Sequence, residues 1–189
     1  TQHQLAHQIS TKNSGTLNQQ WKIILHMYRY EDIRVIHLEN TQNCQANCPM
    51  CDRNMNGKGI NPHIDLSELS VDDCKRIFEP SFIKQLHTMY MCGNLGDPIV
   101  AKDTLEIFRY FRDCNEDIWL GMNTNAGAKN AEWWKKLAKV FGKKGSVIFS
   151  VDGLEDTNHI YRQGVNWKAV EKSMKAFTGA GGRARWDFL

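Results

Sequence analysis

Residues 33–51 read IRVIHLENTQNCQANCPMC, a short apolar run that leads into three closely spaced cysteines. The run Ile33–Leu38 is rich in β-branched residues, which favours a strand. Cys44, Cys48 and Cys51 follow in a C-x3-C-x2-C arrangement. Such crowding is typical of a disulfide framework, a zinc site or an iron–sulfur cluster, and each of these makes different demands on the rest of the chain.

The composition is that of a globular protein with one domain of ordinary size. The 189 residues are 41% hydrophobic and 24% charged, and the formal net charge of +3 gives no indication of nucleic-acid binding. No stretch approaches the roughly 20 apolar residues of a membrane span, and residues 1–15 lack the apolar centre of a secretory signal. We therefore expect a cytoplasmic protein. Disulfides are rare in that compartment, which makes the disulfide framework the weakest of the three interpretations.

The sequence divides into a short N-terminal region, residues 1–30, and a long α/β region, residues 31–189. The first is expected to be a polar tail followed by a short amphipathic helix over Leu17–Tyr28. In the second, strand-like and helix-like segments alternate. Predicted strands lie at 33–38, 86–91, 118–122, 146–151 and 184–189, and predicted helices at 70–78, 103–111, 130–140 and 166–177. Because the strands are near-continuous apolar runs, we expect a parallel sheet covered by helices, either barrel-like or doubly wound.

The carboxyl ends of parallel strands share one edge of the sheet, where such folds carry their functional loops. Four polar or sulfur-containing segments come at the ends of the first four predicted strands. They are CQANCPMC at 44–51, CGNLGDP at 92–98, NTNAG at 123–127 and SVDG at 150–153. We expect all four segments to converge on one rim.

A structural zinc site requires four ligands, which usually arrive as two close pairs. The other cysteines form no second pair, since Cys74 and Cys114 are in register with the apolar residues of predicted helices and Cys92 ends the second strand. An iron–sulfur cluster held by three thiolates would instead leave one iron open to another ligand. Taken by themselves, the residues leave zinc and iron–sulfur open.

The segment HLENTQNCQANCPMCDRN, residues 37–54, resembles the cluster-binding signature of the radical S-adenosylmethionine (radical SAM) superfamily. Three further segments resemble family elements in the same order. Gly96-Asp97-Pro98 is similar to a Gly-Gly-Glu-Pro segment, and Asn123–Gly127 is similar to a Thr-Asn-Gly-like turn. SVDGLEDTNHIYRQG at 150–164 resembles a pattern of the subgroup that includes SPASM/twitch-type peptide-modifying maturases. The resemblance implies a parallel (βα) partial barrel of the radical SAM type.

The resemblance also implies roles for individual residues. Cys44, Cys48 and Cys51 would hold a [4Fe–4S] cluster whose fourth corner is left for S-adenosylmethionine. The residues matched to contacts with that cofactor are Met50, Gly96, Asp97, Asn123, Ser150 and Arg162. Asp97 stands where the family has the longer glutamate, so backbone carbonyls of its loop are an alternative contact.

The implied reaction is the reductive cleavage of S-adenosylmethionine to a 5′-deoxyadenosyl radical, which abstracts hydrogen from a substrate. An electron donor of the flavodoxin or ferredoxin type is implied, and the subgroup pattern favours a peptide or protein substrate. The chain ends within the predicted fifth strand, so we expect the C-terminal part of the barrel to lie outside this sequence. The alternatives are a non-catalytic zinc or iron–sulfur module and an inactive fragment of such an enzyme. For Arg162 the alternative is an ordinary surface ion pair with Glu155 or Asp156.

Overall fold

A computed structural model of the chain describes residues 29–55 and 58–188. The helix predicted over 17–28 lies outside these residues. The chain divides into two units after Ile33, and the second unit contains all the described strands. In the first unit, Tyr30–Asp32 form a 3-10 helix.

Five parallel strands form one open sheet, and their order across the sheet is their order along the chain. They are β1 (Val35–Leu38), β2 (Thr88–Met91), β3 (Trp119–Thr124), β4 (Gly145–Ser150) and β5 (Ala184–Asp187). The predicted parallel α/β sheet is confirmed, with strand bounds that differ from the predicted ones by only one or two residues.

Six α-helices accompany the sheet in the described part of the chain. They are α1 (Val71–Ile77), α2 (Pro80–Gln85), α3 (Thr104–Cys114), α4 (Ala131–Phe141), α5 (Asn158–Tyr161) and α6 (Trp167–Gly179), with a 3-10 helix at Pro98–Val100. The side chains of Ser70, Asn130 and Asn166, the first residues of three predicted helices, cap α1, α4 and α6. The short helices α2 and α5 were not predicted, because six and four residues are too few to display a helical period. None of the described helices is long and apolar enough to cross a membrane.

Helices pack against one face of the sheet and form the core with it. The ring of Trp134 on α4 lies 5.7 Å from that of Phe149 on β4 and 6.2 Å from that of Phe177 on α6. Phe108 on α3 packs edge-on against Phe141 on α4, with ring centroids 4.8 Å apart. All five side chains are buried, so this aromatic cluster joins three helices to the sheet.

The opposite face of the sheet, here called the open face, carries the residues that alternate with the buried ones. It is only partly buried, and the rings of His37 and Tyr90 stack on it with centroids 4.7 Å apart. Its other residues on β3 and β4 are Trp119, Gly121, Asn123, Ser146, Ile148 and Ser150. The open face ends at the rim where the four predicted loops begin.

Candidate active site

The loops that follow β1 to β4 line one cavity of about 230 Å³ at the carboxyl end of the sheet. The predicted site residues on its wall are Cys44, Cys48, Cys51, Gly96, Asp97, Asn123, Ser150 and Arg162. The four segments thus converge on one rim, as the parallel topology requires. Met50 is the exception, since it does not line the cavity and is 81% exposed.

Hydrogen bonds tie the cysteine loop to each of its three neighbouring loops. The Asp97 N–H donates to Asn43 O (2.8 Å), Gln45 Nε2 donates to Asn125 Oδ1 (2.5 Å), and the Asn47 N–H donates to Gln163 O (2.7 Å). The position of the thiols is therefore set by all four loops together.

Glycine permits the closest of these approaches. A Cβ on Gly96 would lie 2.1 Å from the carbonyl oxygen of Thr41, far inside van der Waals contact. A Cβ on Gly93 would lie 2.0 Å from the carbonyl oxygen of Gly96. The loop after β2 therefore meets the cysteine loop, and folds on itself, backbone against backbone.

Polar N–H groups surround two of the three sulfur atoms. Cys44 Sγ accepts from the Ala46 N–H at 3.4 Å and from Asn125 Nδ2 at 3.6 Å. Arg162 Nη1 lies 3.9 Å from Cys48 Sγ. Hydrogen bonds and positive charge directed at sulfur favour the thiolate, which is the form that binds metal.

Burial acts in the opposite direction on these thiols. It raises the pKa of Cys44 to about 12, with a further contribution from the nearby Asp97 carboxylate. Burial also raises the pKa of Cys48, although the Arg162 guanidinium opposes that rise. Metal ligation by these cysteines would have to displace the thiol protons, so it would be coupled to proton release.

Arg162 forms a buried ion pair rather than a surface one. Its Nε donates to Asp152 Oδ2 at 2.5 Å, and the two side chains are only 13% and 4% exposed. The alternative interpretation, a surface pair with Glu155 or Asp156, is wrong. The guanidinium is instead held between the Asp152 carboxylate and the Cys48 thiol.

The Asp97 carboxylate is bound within the protein. Oδ1 accepts from the Ile99 N–H (3.1 Å) and the Thr124 hydroxyl (2.8 Å), and Oδ2 accepts from the Asn125 N–H (2.8 Å). The residue is 6% exposed, and burial raises its pKa against the effect of these donors. Asp97 therefore ties the loop after β2 to the end of β3, which sequence reasoning did not foresee.

Other cavity residues were also missed. Asn125 holds both Gln45 and Cys44, yet in the sequence it is only one polar residue of a turn. Asn54 and Tyr161 also line the cavity, together with Cys92, which ends the second strand in the predicted segment 92–98. The participation of Asn54, Tyr161 and Asn125 depends on contacts between distant segments, for which a single sequence carries no signal.

The donor set suits a cluster that several irons share. Among residues 29–55 and 58–188, no group of three or more His, Cys, Asp or Glu side chains is arranged to hold a single metal ion. A [4Fe–4S] cluster binds each thiolate through a different iron, so it needs three thiols along the wall of one cavity. Cys44, Cys48 and Cys51 meet that requirement.

Comparison with solved structures identifies the fold. SuiB of Streptococcus suis bound to S-adenosylmethionine has a TM-score of 0.65 and 18% identity, covering 98% of this chain and 42% of that one. SuiB bound to its precursor peptide SuiA has a TM-score of 0.64 and 16% identity, covering 99% and 43%. BtrN in complex with AdoMet and 2-DOIA has a TM-score of 0.53 and 13% identity, covering 82% and 56%. The chain thus spans less than half the length of SuiB.

No curated protein matches the sequence. A family model described as the Radical SAM superfamily matches residues 38–189, which include the cysteine loop and all the other loops of the cavity. The five-stranded parallel sheet accordingly has the fold of a partial radical SAM barrel. The chain belongs to the radical SAM superfamily, whose members use a [4Fe–4S] cluster and S-adenosylmethionine.

Proposed function

We propose that this chain is the core of a radical SAM enzyme that acts on a peptide or protein. The observation that carries the proposal is the single cavity that joins the three thiols of the cysteine loop to the three other predicted cofactor loops. A zinc module or an electron-transfer protein has no need of those additional loops.

Cys44, Cys48 and Cys51 would hold the cluster in this proposal. The Ala46 N–H and the Asn125 amide stabilise the Cys44 thiolate, and the Arg162 guanidinium stabilises that of Cys48. When bound, the reduced cluster and S-adenosylmethionine supply a 5′-deoxyadenosyl radical that abstracts hydrogen from the substrate. The protein contributes orientation and exclusion of water, since the reactive chemistry belongs to the cofactors.

The residues around the thiols would orient S-adenosylmethionine. The Asp97 carboxylate already accepts three hydrogen bonds, so we assign the cofactor's amino group to backbone carbonyls of the Gly96 loop. Arg162 would bind the carboxylate through its guanidinium. Asn123 and Ser150, on the open face, would bind the ribose or the carboxylate, and Met50 would approach the adenine.

A peptide substrate is supported by two independent likenesses. The segment 150–164 resembles that of peptide-modifying maturases, and SuiB, a structural neighbour, has been solved bound to a precursor peptide. A flavodoxin or ferredoxin would supply the electron. A reducing compartment, the cytoplasm, suits both this donor and the six unpaired cysteines.

Anaerobic reconstitution with iron and sulfide, followed by dithionite and S-adenosylmethionine, tests the proposal. The reconstituted chain should release 5′-deoxyadenosine, and Cys48→Ala should abolish that release because one thiolate ligand is gone. Iron content and visible absorption of the same samples report cluster binding separately from turnover.

Cys114→Ala is the matched control, because Cys114 is half-buried and does not line the cavity. It should retain both the cluster and the release of 5′-deoxyadenosine. A wild-type protein that carries one zinc ion per chain and never cleaves S-adenosylmethionine would show the enzymatic interpretation to be wrong.

A further inference from the structure

A second cavity, of about 260 Å³, lies beyond the cysteine site. Its wall is made of Trp119, Ser146, Arg183, Ala184 and Arg185, at the starts of β3, β4 and β5. It is therefore at the amino end of the sheet, opposite the rim that carries the cysteines. We call it the arginine pocket.

The strand register places the arginine pocket on the open face. Ser146 is paired with Gly121, and Arg185 is paired with Ile148, in parallel strands whose paired residues point to the same side. Trp119 is two residues before Gly121 and shares its side. The same face carries Asn123 and Ser150, which line the cysteine cavity.

The pocket has two guanidinium groups and no acid paired with either of them among the described residues. Arg183 lies over the indole of Trp119, 5.4 Å from the ring centroid, which fixes its position without neutralising its charge. Asp187 follows Arg185 on the same face, but forms no ion pair with it. A guanidinium fork matches a carboxylate geometrically, and the Ser146 hydroxyl adds a further donor.

We propose that the arginine pocket binds an acidic side chain of the peptide substrate. The inference rests on the proposed function in so far as the substrate is a peptide. The bound segment then runs along the open face from the pocket to the cysteine cavity. Ser146 and Ser150 mark the two ends on β4, about 13 Å apart at ~3.3 Å per residue, so the acidic residue stands roughly four positions from the residue that reacts.

Fluorescence anisotropy of a short labelled peptide with two adjacent glutamates tests the pocket on the reconstituted chain. We expect saturable binding at low salt, and at least about tenfold weaker binding of the counterpart with two glutamines. The double variant R183Q/R185Q should weaken binding of the glutamate peptide by about tenfold or more. Arg185→Gln alone should weaken it severalfold, and it provides the test if the double variant fails to fold.

The matched control is K135Q/K136Q, which removes two exposed positive charges from α4, away from both cavities. It should bind the peptide as the wild type does, and free glutarate should displace the peptide. If both double variants weakened peptide binding equally, binding would depend only on the net charge of the protein, and the proposal would be overturned. Displacement by inorganic phosphate at concentrations where glutarate has no effect would overturn it in favour of a phosphate site.

Release of 5′-deoxyadenosine, measured on the same wild-type sample, separates this inference from the proposed function. Peptide binding without cofactor cleavage would contradict the proposed function while leaving the arginine pocket in place. Cofactor cleavage with no difference between the two peptides would contradict the pocket and leave the enzyme in place.

Discussion

At the scale of single residues, the cysteine cavity depends on side chains that hold other protein groups. Asp97 joins two loops, Asn125 joins a thiol to a neighbouring glutamine, and Arg162 joins a thiol to a carboxylate. Each of these three residues holds a loop whose own sequence is polar and has no regular secondary structure. The rigidity of the site therefore comes from contacts between loops.

Asp97→Asn should destabilise the protein by about 1–3 kcal/mol. The amide replaces one acceptor oxygen by an NH2 group, which then faces a buried donor and leaves it unsatisfied. Chemical denaturation would show a lower midpoint with an unchanged slope. Glu155→Gln, a similar change at an exposed residue, should alter stability by less than about 0.5 kcal/mol. Equal stabilities of the two variants would contradict the structural role assigned to Asp97.

The site was predictable from sequence where its residues share a segment or follow a strand. The cysteine spacing and the strand ends predicted that the four loops converge. The family resemblance supplied the nine candidate residues, and eight of them line one cavity. The partners of those residues were not predictable. The ion pair considered for Arg162 was with Glu155 or Asp156, the acids nearest to it in the sequence. Its partner is instead Asp152, in the turn that follows β4.

At the scale of elements, long-range side chains close the ends of helices. Arg112 on α3 donates to five carbonyl oxygens, those of Glu116, Ile118, Val140, Phe141 and Lys144. Two of these belong to the last turn of α4, where carbonyls lack helical partners. One guanidinium thus joins the end of α3, the end of α4 and the approaches to β3 and β4.

Arg112→Ala should lower the free energy of unfolding by about 2–3 kcal/mol, because several carbonyls lose their donor together. Arg112→Lys should recover little of that loss, since an ammonium group has three donors and no planar fork. Thermal denaturation followed by circular dichroism measures both effects. Arg109→Ala, at an exposed position of the same helix, is the control and should be nearly neutral. Full recovery by lysine would show that charge alone matters there.

Elements with local signals were predicted, and those without them were not. Ser70, Asn130 and Asn166 are the first residues of three predicted amphipathic helices, and each caps the helix that follows it. The helix α2 (Pro80–Gln85) ends directly before the predicted second strand at 86–91, so its apolar residues were assigned to no helix. Its last carbonyls are bound by Asn115, from a distant turn, which no local pattern reveals.

At the scale of the whole molecule, one face of the sheet packs into the core, and the other carries the residues proposed to bind cofactor and substrate. The helix-covered face contains the aromatic cluster, and the open face carries Asn123, Ser150 and the arginine pocket. The alternation of side chains along a strand makes this division possible within a single layer. Substitutions on the two faces should therefore have separable effects.

Trp134→Ala should destabilise the protein by about 3–5 kcal/mol, because it leaves a large cavity between α4, α6 and β4. Trp133→Ala, the adjacent and half-buried tryptophan, is the control and should cost less than half as much. Denaturant titration measures both. Similar losses from the two variants would contradict the assignment of Trp134 to the centre of the core.

The order of the strands has a consequence for how the chain is made. The strands β1 to β5 lie side by side in the order of synthesis. From β2 onward, each strand therefore leaves the ribosome after the neighbour whose free edge it pairs with. None of these five strands has to insert between two others. The largest separation between paired strands, from Leu38 to Thr88, encloses the cysteine loop, so the pairing of β1 with β2 also closes the segment that carries the three thiols.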